Sequence, residues 1–423
     1  MHEALARALY SLALTLLTPA YLLRLLWRSR IEPAYRRRLR ERLGWYGAPP
    51  PSALTLWLHA VSLGETRAAA PLVDALRAHR PGLRLLLTCS TATGWVAGRA
   101  LLRAGDLHTW LPFDTPGAVR RFLRHHRPAV GVLMETEIWP NLLHAAQQQR
   151  VPMVLANARL SAKSLQQGVR FAALLRPAVG RLAATLAQTQ ADAARLRAAG
   201  AEPVWVAGNL KFDVTPPPQL VERGQRWRRA AGRPVVLAAS TREGEEAPLL
   251  AAWAQVVAPR PMLLVVPRHP QRFDEVAQLV ERAGLSLQRR SRWGEMPPPG
   301  AARADVWLGD SMGEMPLYYG AADVALLGGS FAPLGGQNLI EAAACGCPVV
   351  MGPHTFNCAE AAQLCLDARA GVRVGGIDEG VTRAVALTGD ARRAEWTERA
   401  LAFAAAHRGA TERMAQRIVA LLP

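Results

Sequence analysis

Short apolar runs alternate with helical patterns along the chain from Leu54 onward. The runs occupy residues 54–58, 83–88, 108–111, 129–134, 151–156, 184–188 and 203–208, then 234–240, 262–267, 285–288, 305–309, 323–328, 347–352 and 371–376. Each run is continuously apolar, which is typical of parallel strands that are covered by helices on both faces. The pattern therefore predicts an α/β protein built from two Rossmann-like βαβ series.

Three consecutive prolines, 216–218, separate the two series and predict a stiff spacer. We therefore predict a membrane-anchor helix, an N-terminal Rossmann-like domain, a proline linker and a C-terminal Rossmann-like domain that includes the terminal helices. These segments cover residues 1–30, 31–213, 214–220 and 221–423. Ligands of such sheets bind at the carboxyl ends of the strands, so we expect a cleft between the two domains there.

An apolar stretch at residues 8–23, bounded by Arg7 and Arg24, predicts the anchor. It is shorter than the roughly 20 residues of a membrane span, but residues 25–27 extend it if the arginine reaches the interface. Seven arginines follow between residues 28 and 42, with no small-residue cleavage site. The positive-inside rule puts this side in the cytoplasm. We expect an uncleaved anchor that spans the membrane or is half-buried in it. The alternative is an ordinary helix that is buried in the protein.

The formal net charge of +18 fits nucleic acid, a membrane surface or an anionic substrate. The arginines are spread along the chain and do not interleave with stacking aromatics, so nucleic-acid binding is not expected. Only two of the 51 basic residues are lysines, Lys163 and Lys211. A lysine in such a background can supply a compact ammonium that arginine cannot replace, although chance retention explains it equally well.

Charged residues also follow strands of the first series. Glu65 lies at the turn after 54–58, Glu135 and Glu137 follow 129–134, and Lys211 follows the last run. A carboxylate near a second acid has a raised pKa, which makes it a better base near neutral pH. A nearby lysine can stabilise developing negative charge. The alternatives are that Glu65 only caps its helix and that Glu137 is solvent-exposed.

Three strand ends of the second series are suited to an anion. Arg268 and His269 can donate to a phosphate at the first of them. At the second, the N–H groups of Met312, Gly313 and Glu314 are expected to open a helix. The alternative for each is ordinary surface charge or capping, but three such strand ends in one domain favour a nucleotide phosphate.

The third of these strand ends is the stretch "GGSFAPLGGQN", which leads into a helix that begins near Asn338. Glycines before a helix N-terminus leave backbone N–H groups free for an anion. Asn338 and Glu341 share the first turn, and the carboxylate there can accept the hydroxyls of a ribose. Glu341 could also serve only to complement the helix dipole.

Nine motifs together closely resemble the 3-deoxy-D-manno-octulosonic acid (Kdo) transferase family. They occur in register over about residues 20–360: "HAVSLGET", "METEIWPNLL", "NARLSAKS", "GNLKFD", "ASTREGEE", "VPRHPQRF", "GDSMGEM", "GGSFAPLGGQN" and "MGPHTFN". Gln337 stands where the family usually has histidine. The resemblance implies a GT-B glycosyltransferase with an acceptor-binding N-terminal domain and a CMP-Kdo-binding C-terminal domain.

The resemblance also implies a reaction and a place. Kdo would move from CMP-Kdo to a hydroxyl of the lipid A precursor (lipid IVA), with inversion, at the cytoplasmic face of the bacterial inner membrane. Glu65 would be the general base, and Glu135 and Lys211 would stabilise the transition state. CMP would be held by Arg268, His269, Met312, Gly313, Glu314, Asn338, Leu339, Ile340 and Glu341. No metal or further cofactor is expected, because CMP leaves with a single phosphate ester.

Two other hypotheses fit parts of the pattern. The chain could be another nucleotide-sugar GT-B enzyme or a nucleotide-sugar epimerase, neither of which needs Kdo. It could also be a membrane-attached basic protein without catalysis that holds anionic lipid or nucleic acid. The acids after the strands of the first series argue against this last hypothesis.

Overall fold

The computed structural model describes residues 3–48, 51–213 and 215–423. The chain divides into two compact units, Met1–Asp213 with Arg408–Pro423, and Val214–His407. Each unit contains one seven-stranded sheet in which all neighbouring strands are parallel. The predicted α/β class with two Rossmann-like series is therefore confirmed.

All seven apolar runs of the first series form strands of the first sheet. The strands are β1 (Thr55–His59), β2 (Arg84–Cys89), β3 (Leu107–Trp110), β4 (Val130–Met134), β5 (Met153–Ala158), β6 (Ala184–Ala187) and β7 (Val204–Val206). Their order is β3-β2-β1-β4-β5-β6-β7, so the strand order reverses between β1 and β4. Leu56 and Leu58 pack on one face and Trp57 on the other. Both faces are therefore buried, which explains the continuous apolar pattern.

Eight helices belong to this part of the chain. They are α1 (Glu3–Arg28), α2 (Leu63–His79), α3 (Ala92–Gly98), α4 (Pro116–His126), α5 (Pro140–Gln148), α6 (Ala162–Val169), α7 (Ala172–Val179) and α8 (Gln190–Ala198). Among the described residues, α1 is the one helix that is long and apolar enough to cross a membrane, by length and composition. Its 26 residues contain Pro19.

The second sheet likewise contains all seven runs of the second series. The strands are β8 (Val235–Thr241), β9 (Met262–Pro267), β10 (Leu287–Arg289), β11 (Val306–Leu308), β12 (Val324–Leu327), β13 (Val349–Met351) and β14 (Gly371–Arg373). Their order is β10-β11-β9-β8-β12-β13-β14. The helices are α9 (Pro218–Ala231), α10 (Glu246–Ala254), α11 (Phe273–Arg282), α12 (Met315–Ala321), α13 (Leu339–Ala344), α14 (Ala359–Asp367), α15 (Ile377–Thr388) and α16 (Arg393–Ala406).

The proline segment is shorter than the predicted linker, 214–220. Helix α9 already begins at Pro218, because proline has a helical φ and a missing N–H costs nothing in the first turn. Val214 lies outside the described residues.

The last helix, α17 (Ala410–Val419), packs against α2 of the first unit. Met414 and Ile418 share a buried cluster with Leu72 of α2. Asp213 accepts hydrogen bonds from the backbone N–H groups of Gly409 and Thr411, which fixes the start of the helix. The sequence-based division placed this helix in the C-terminal domain, whereas the contacts place it in the first unit. An amphipathic pattern shows that a helix has a buried face, but not which partner covers it.

Candidate active site

The acids of the first unit come together where the strand order reverses. Glu65 lies in the first turn of α2, which follows β1, and Glu135 and Glu137 follow the adjacent strand β4. Burial is the largest cause of the raised pKa of Glu65 and of Glu137, and like-charge repulsion adds to it: Glu135 acts on Glu65, and both Glu65 and Glu135 act on Glu137. The structure thus brings together Glu65, Glu135 and Glu137, the three acids that the sequence analysis placed after these two strands.

Glu65 is held by the start of its own helix. Ser62 is the N-cap, and its hydroxyl oxygen lies 3.4 Å from the Glu65 backbone nitrogen. In return, the Ser62 hydroxyl donates to Glu65 Oε1 at 3.0 Å, and the Val61 N–H donates to Oε2 at 2.8 Å. This is a variant of the capping box in which the Val61 N–H, one residue before the N-cap, takes the place of the Ser62 N–H, and the carboxylate folds back onto its own helix. Two of its roughly four acceptor positions remain for a substrate hydroxyl.

The environment of Glu65 favours the protonated form. Burial raises the pKa of Glu65, and the charge of Glu135 raises it further, whereas the Val61 N–H and the charge of Arg159 lower it. A carboxylate with a raised pKa is a stronger proton acceptor once ionised. Glu65 is therefore fixed in place as a cap and suited to act as a base.

Glu135 is strained and paired. Its φ of 59° lies in the left-handed region, which is uncommon for a non-glycine residue and costs about 1–3 kcal/mol. Only 7% of Glu135 is exposed, and Arg159 Nε donates to its Oε2 at 3.0 Å. Arg159 directly follows β5, at the same edge of the sheet. The sequence contained this arginine in "NARLSAKS", but no role was predicted for it; its position just after a strand was the available signal.

Glu137 faces a buried histidine that the sequence analysis missed. Burial, followed by the charge of Glu65, raises the pKa of Glu137 to about 7. Its Oε2 lies 4.0 Å from Nε2 of His59, the last residue of β1. Burial lowers the pKa of His59 to about 3, so the imidazole is neutral. Its Nδ1 lies 2.9 Å from Thr88 Oγ1, and its Nε2 has no hydrogen-bond partner in the described structure. Glu137 is thus part of the acid cluster rather than a solvated surface residue.

Lys211 lies on a short 3-10 turn, Leu210–Asp213, that packs against α2. The turn is fixed by Asn157, which accepts the Leu210 N–H at 3.1 Å. The Lys211 N–H donates to Asn209 Oδ1 at 3.0 Å. Within residues 51–213, no ion pair joins the Lys211 ammonium to the three acids. The structure therefore places this lysine on an element that contacts the helix of Glu65, without a direct contact to its carboxylate.

A mostly apolar groove of about 840 Å³ begins at the same end of α2. It runs between α2, α3 and the segment after α1, and its lining includes Pro33, Arg37, Leu63, Arg67 and Val96. The first turn of α2 thus carries the candidate base and also borders a space suited to an apolar group.

The predicted donor residues of the second unit follow β9, β11 and β12 of its sheet. Arg268 and His269 come directly after β9. Burial lowers the pKa of His269, and the charges of Arg242, Arg268 and Arg272 lower it further. The imidazole is therefore neutral, and this strand end carries the positive potential that a phosphate requires.

The glycine-rich loop after β12 is organised by Glu245, which the sequence analysis did not single out. The N–H groups of Gly329, Phe331 and Ala332 donate to its carboxylate at 2.7, 3.1 and 3.3 Å. The Arg242 N–H adds a fourth bond at 2.9 Å. Glu245 is only 4% exposed, so it acts as an internal anion that fixes the loop. Those N–H groups are consequently occupied by the protein itself.

The sequence predicted Asn338 in the first turn of the helix after this loop, together with Glu341; in the structure Asn338 is the N-cap. Its Oδ1 accepts the Ile340 N–H at 3.2 Å, and α13 is six residues long. Leu339 and Ile340 are buried, so only their backbone can face a ligand. Glu341 lies in the first turn and is half-buried.

The segment 312–314 differs from the prediction. Helix α12 begins at Met315 with Glu314 as its N-cap, and Gly313 has a φ of 82°, so these residues form a turn before the helix. The Glu314 carboxylate accepts hydrogen bonds from Arg290 at 3.0 and 2.9 Å and is also paired with Arg223. The Glu314 side chain is thus paired with two arginines, so a nucleotide at this segment would contact its backbone.

Comparison with known proteins defines the class and the family. Residues 37–214 match the family model described as 3-Deoxy-D-manno-octulosonic-acid transferase (kdotransferase). The crystal structure of Anabaena Alr3699/HepE in complex with UDP is 16% identical and covers 86% of this chain and 98% of that one, with a TM-score of 0.57. This likeness concerns the fold alone, which is that of the GT-B glycosyltransferases.

Two curated relatives are similar over most of their length. The 3-deoxy-D-manno-octulosonic acid transferase of Bordetella pertussis is 49% identical over 97% of this chain and 98% of its own. That of Haemophilus influenzae is 36% identical over 84% of each. The chain therefore belongs to the 3-deoxy-D-manno-octulosonic acid transferase family, and it is a glycosyltransferase. The epimerase and non-enzymatic hypotheses are set aside on this ground.

Proposed function

We propose that this enzyme transfers Kdo from CMP-Kdo to a hydroxyl of the lipid A precursor, lipid IVA, with inversion. The observation that carries the proposal is the acid cluster around Glu65 in a member of this family. As the acceptor oxygen bonds to the anomeric carbon, Glu65 takes its proton, and the bond from that carbon to the CMP phosphate oxygen breaks. Base catalysis of this kind contributes a factor of about 10²–10⁴.

Other residues would stabilise the transition state and hold the donor. Glu135, oriented by Arg159, is proposed to stabilise the positive charge that develops at the anomeric carbon, and the ammonium of Lys211 is proposed to stabilise the negative charge that develops on the leaving oxygen. The guanidinium of Arg268 and the neighbouring His269 are proposed to bind the phosphate of CMP. The backbone of 312–314 and the segment 338–341 would bind the remainder of CMP, with Glu341 accepting ribose hydroxyls.

The acceptor is proposed to bind in the groove beside α2. Its apolar lining suits acyl chains, and Arg37 and Arg67 at its wall suit phosphate groups. An acceptor of this kind resides in a membrane, so we propose that the enzyme works at the cytoplasmic face of the inner membrane. No metal is proposed, since the leaving group carries a single phosphate ester.

Product analysis tests this function. CMP-Kdo is first generated in situ, excess EDTA is then added to one of two arms, and transfer is started by adding lipid IVA and the full-length enzyme in detergent micelles. Mass spectrometry should show lipid IVA carrying Kdo, at equal rates in both arms, and also counts the Kdo residues added. Release of CMP without a Kdo-bearing lipid, or a requirement for a divalent cation, would contradict the proposal.

A further inference from the structure

Helix α1 lies along the first unit over its whole length. Near its start, Glu3 pairs with Arg181, and the Tyr10 hydroxyl donates to Asp114 Oδ2 at 3.0 Å. Near its end, Leu25 is only 3% exposed. A helix of 26 residues is roughly 39 Å long, and it is attached at both ends.

Further contacts hold the middle of the helix. The Ser11 hydroxyl donates to Asn141 Oδ1 at 3.0 Å. The ring of Tyr21 meets that of Phe113 edge-on, with centroids 5.2 Å apart. Residues 3, 6, 7, 10, 11, 14, 18, 22 and 25 are buried or half-buried, which is one continuous stripe of helical period. The body of the unit therefore covers one face of α1 from the first turn to the last.

The outward face of α1 is apolar, whereas the outward face of a helix in a water-soluble protein is polar. The covered face carries polar groups, among them Glu3, Tyr10 and Ser11. The outward face carries no charged residue between Arg7 and Arg24. Its exposed large apolar side chains are Leu5, Leu9, Leu12, Leu16, Leu17, Leu23, Leu26 and Trp27, each between 44% and 70% exposed. A continuous apolar stripe of this size marks an interaction surface.

Exposed arginines lie at one end of this stripe. Arg24 belongs to the helix itself, and five more exposed arginines follow within twelve residues of its last turn: Arg30, Arg36, Arg37, Arg38 and Arg40. Each arginine near an anionic leaflet adds about 1 kcal/mol of attraction. An apolar face next to a basic cluster is the pattern of a helix that binds an anionic membrane surface.

We infer that α1 lies in the plane of the membrane–water interface instead of crossing the bilayer. The leucines enter the acyl boundary, and the arginines contact anionic headgroups. A spanning helix with the same contacts would carry Asp114, Asn141 and Arg181 into the hydrocarbon, where charged groups are expensive. This inference rests on the proposed membrane association and specifies its geometry. Both ends of α1 lie on the same side of the membrane as the rest of the enzyme.

Vesicle binding tests the surface. The full-length protein is floated with vesicles of phosphatidylcholine containing phosphatidylglycerol, and L12E/L16E is compared with V257E/L401E, which alters exposed apolar residues of the second unit. The bound fraction should fall at least tenfold for the first pair only, with unchanged circular dichroism. Equal vesicle binding by the two double variants would overturn the inference. So would a wild-type protein that forms a concentration-dependent dimer, which L12E/L16E abolishes, and that does not bind vesicles.

Protease protection tests the orientation. Cleavable tags are placed at the N- and C-termini, and protease is added to spheroplasts and to inverted inner-membrane vesicles. Both tags should resist cleavage in spheroplasts and be cut in inverted vesicles. Cleavage of the N-terminal tag in spheroplasts would show a spanning helix and overturn the inference. Neither test requires Kdo transfer, and the product assay in micelles requires no bilayer, so the inference and the proposed function fail separately.

Discussion

Ser62 and Glu65 bind each other across the first turn of α2. The Ser62 oxygen lies 3.4 Å from the Glu65 backbone nitrogen, and the Ser62 hydroxyl donates to Glu65 Oε1 at 3.0 Å. The candidate base is therefore also a structural residue. Experiments on Glu65 must separate the two roles. Replacing Glu65 with glutamine keeps the cap and removes the base, whereas replacing Ser62 with alanine removes the cap and keeps the carboxylate.

Ser62→Ala is expected to weaken the fold without abolishing transfer. Loss of an N-cap lowers the free energy of unfolding by about 0.5–2 kcal/mol. The carboxylate remains, and the Val61 N–H still binds its Oε2 at 2.8 Å, so the transfer rate should stay within a few-fold of wild type. Urea denaturation and the product assay measure both. Ser161→Ala removes the equivalent cap of α6 and serves as the control. A more than tenfold loss of transfer rate in Ser62→Ala alone would show that the Ser62 hydroxyl takes part in the reaction.

Glu137→Gln should stabilise the protein at high pH only. Burial, then the charge of Glu65, raises the Glu137 pKa from 4.5 to about 7. Between these values the folded state binds more protons than the unfolded chain, so wild-type stability falls as the pH rises through this range. The variant should match wild type at pH 4 and exceed it at pH 8, by up to about 3 kcal/mol.

The same variant should change the pH dependence of transfer. Wild-type Glu137 is itself mostly neutral below its pKa of about 7, so the kcat/KM profiles should agree on the acid side and differ above pH 7, where only the wild-type side chain acquires a charge. Denaturation curves and rate profiles between pH 5 and 9 provide the measurement. Equal stability differences at pH 4 and pH 8 would show that Glu137 does not titrate in this range.

Lys211→Met is expected to slow the chemical step. Removing one group that stabilises the transition state costs about 10²–10³ in kcat, and CMP binding in the second unit should be unchanged. Lys163→Met is a matched control, since it removes the chain's other lysine from an exposed position on α6. Single-turnover rates and CMP titration measure the two effects. Equal rates for the two variants would remove Lys211 from the mechanism.

Glu245→Gln should weaken CMP binding. The carboxylate accepts four backbone N–H groups, and an amide NH₂ would face two of them without an acceptor. The glycine-rich loop should then lose its shape, with at least a tenfold rise in the Kd for CMP. Calorimetric titration provides the measurement, and Glu243→Gln in the same turn is the exposed control. An unchanged Kd would separate this loop from the nucleotide site.

The strands could be predicted from the local apolar pattern, whereas several long-range contacts could not. Every apolar run became a strand, because a helix-covered parallel strand buries both faces, as Trp57 and Leu58 show. The sequence placed α17 in the wrong unit because its partner, α2, is more than 300 residues away. The pairing of Glu245 with the glycine-rich loop spans 84–87 residues. Such contacts leave no periodic signal in the chain.

The site was predicted in part for the same reason. Glu65 and Glu135 are adjacent because β1 and β4 are neighbours, an order that strand logic anticipates at a point of reversal. His59 was missed because a buried strand residue looks like core in sequence. The predicted start of α12, at 312–314, lies a few residues too early. Gly313 adopts a positive φ, so these residues form a turn before the helix.

The transfer rate of Glu65→Gln tests the central claim most directly. Glutamine can keep the contacts of the capping box but cannot take a proton, so CMP affinity should match wild type and stability should be equal or higher, because burial disfavours the wild-type carboxylate. The single-turnover rate of Kdo transfer to lipid IVA, in micelles at saturating CMP-Kdo, should fall by about 10²–10⁴. A Glu65→Gln enzyme that transfers Kdo within threefold of the wild-type rate would contradict the account and leave Glu65 as a cap alone.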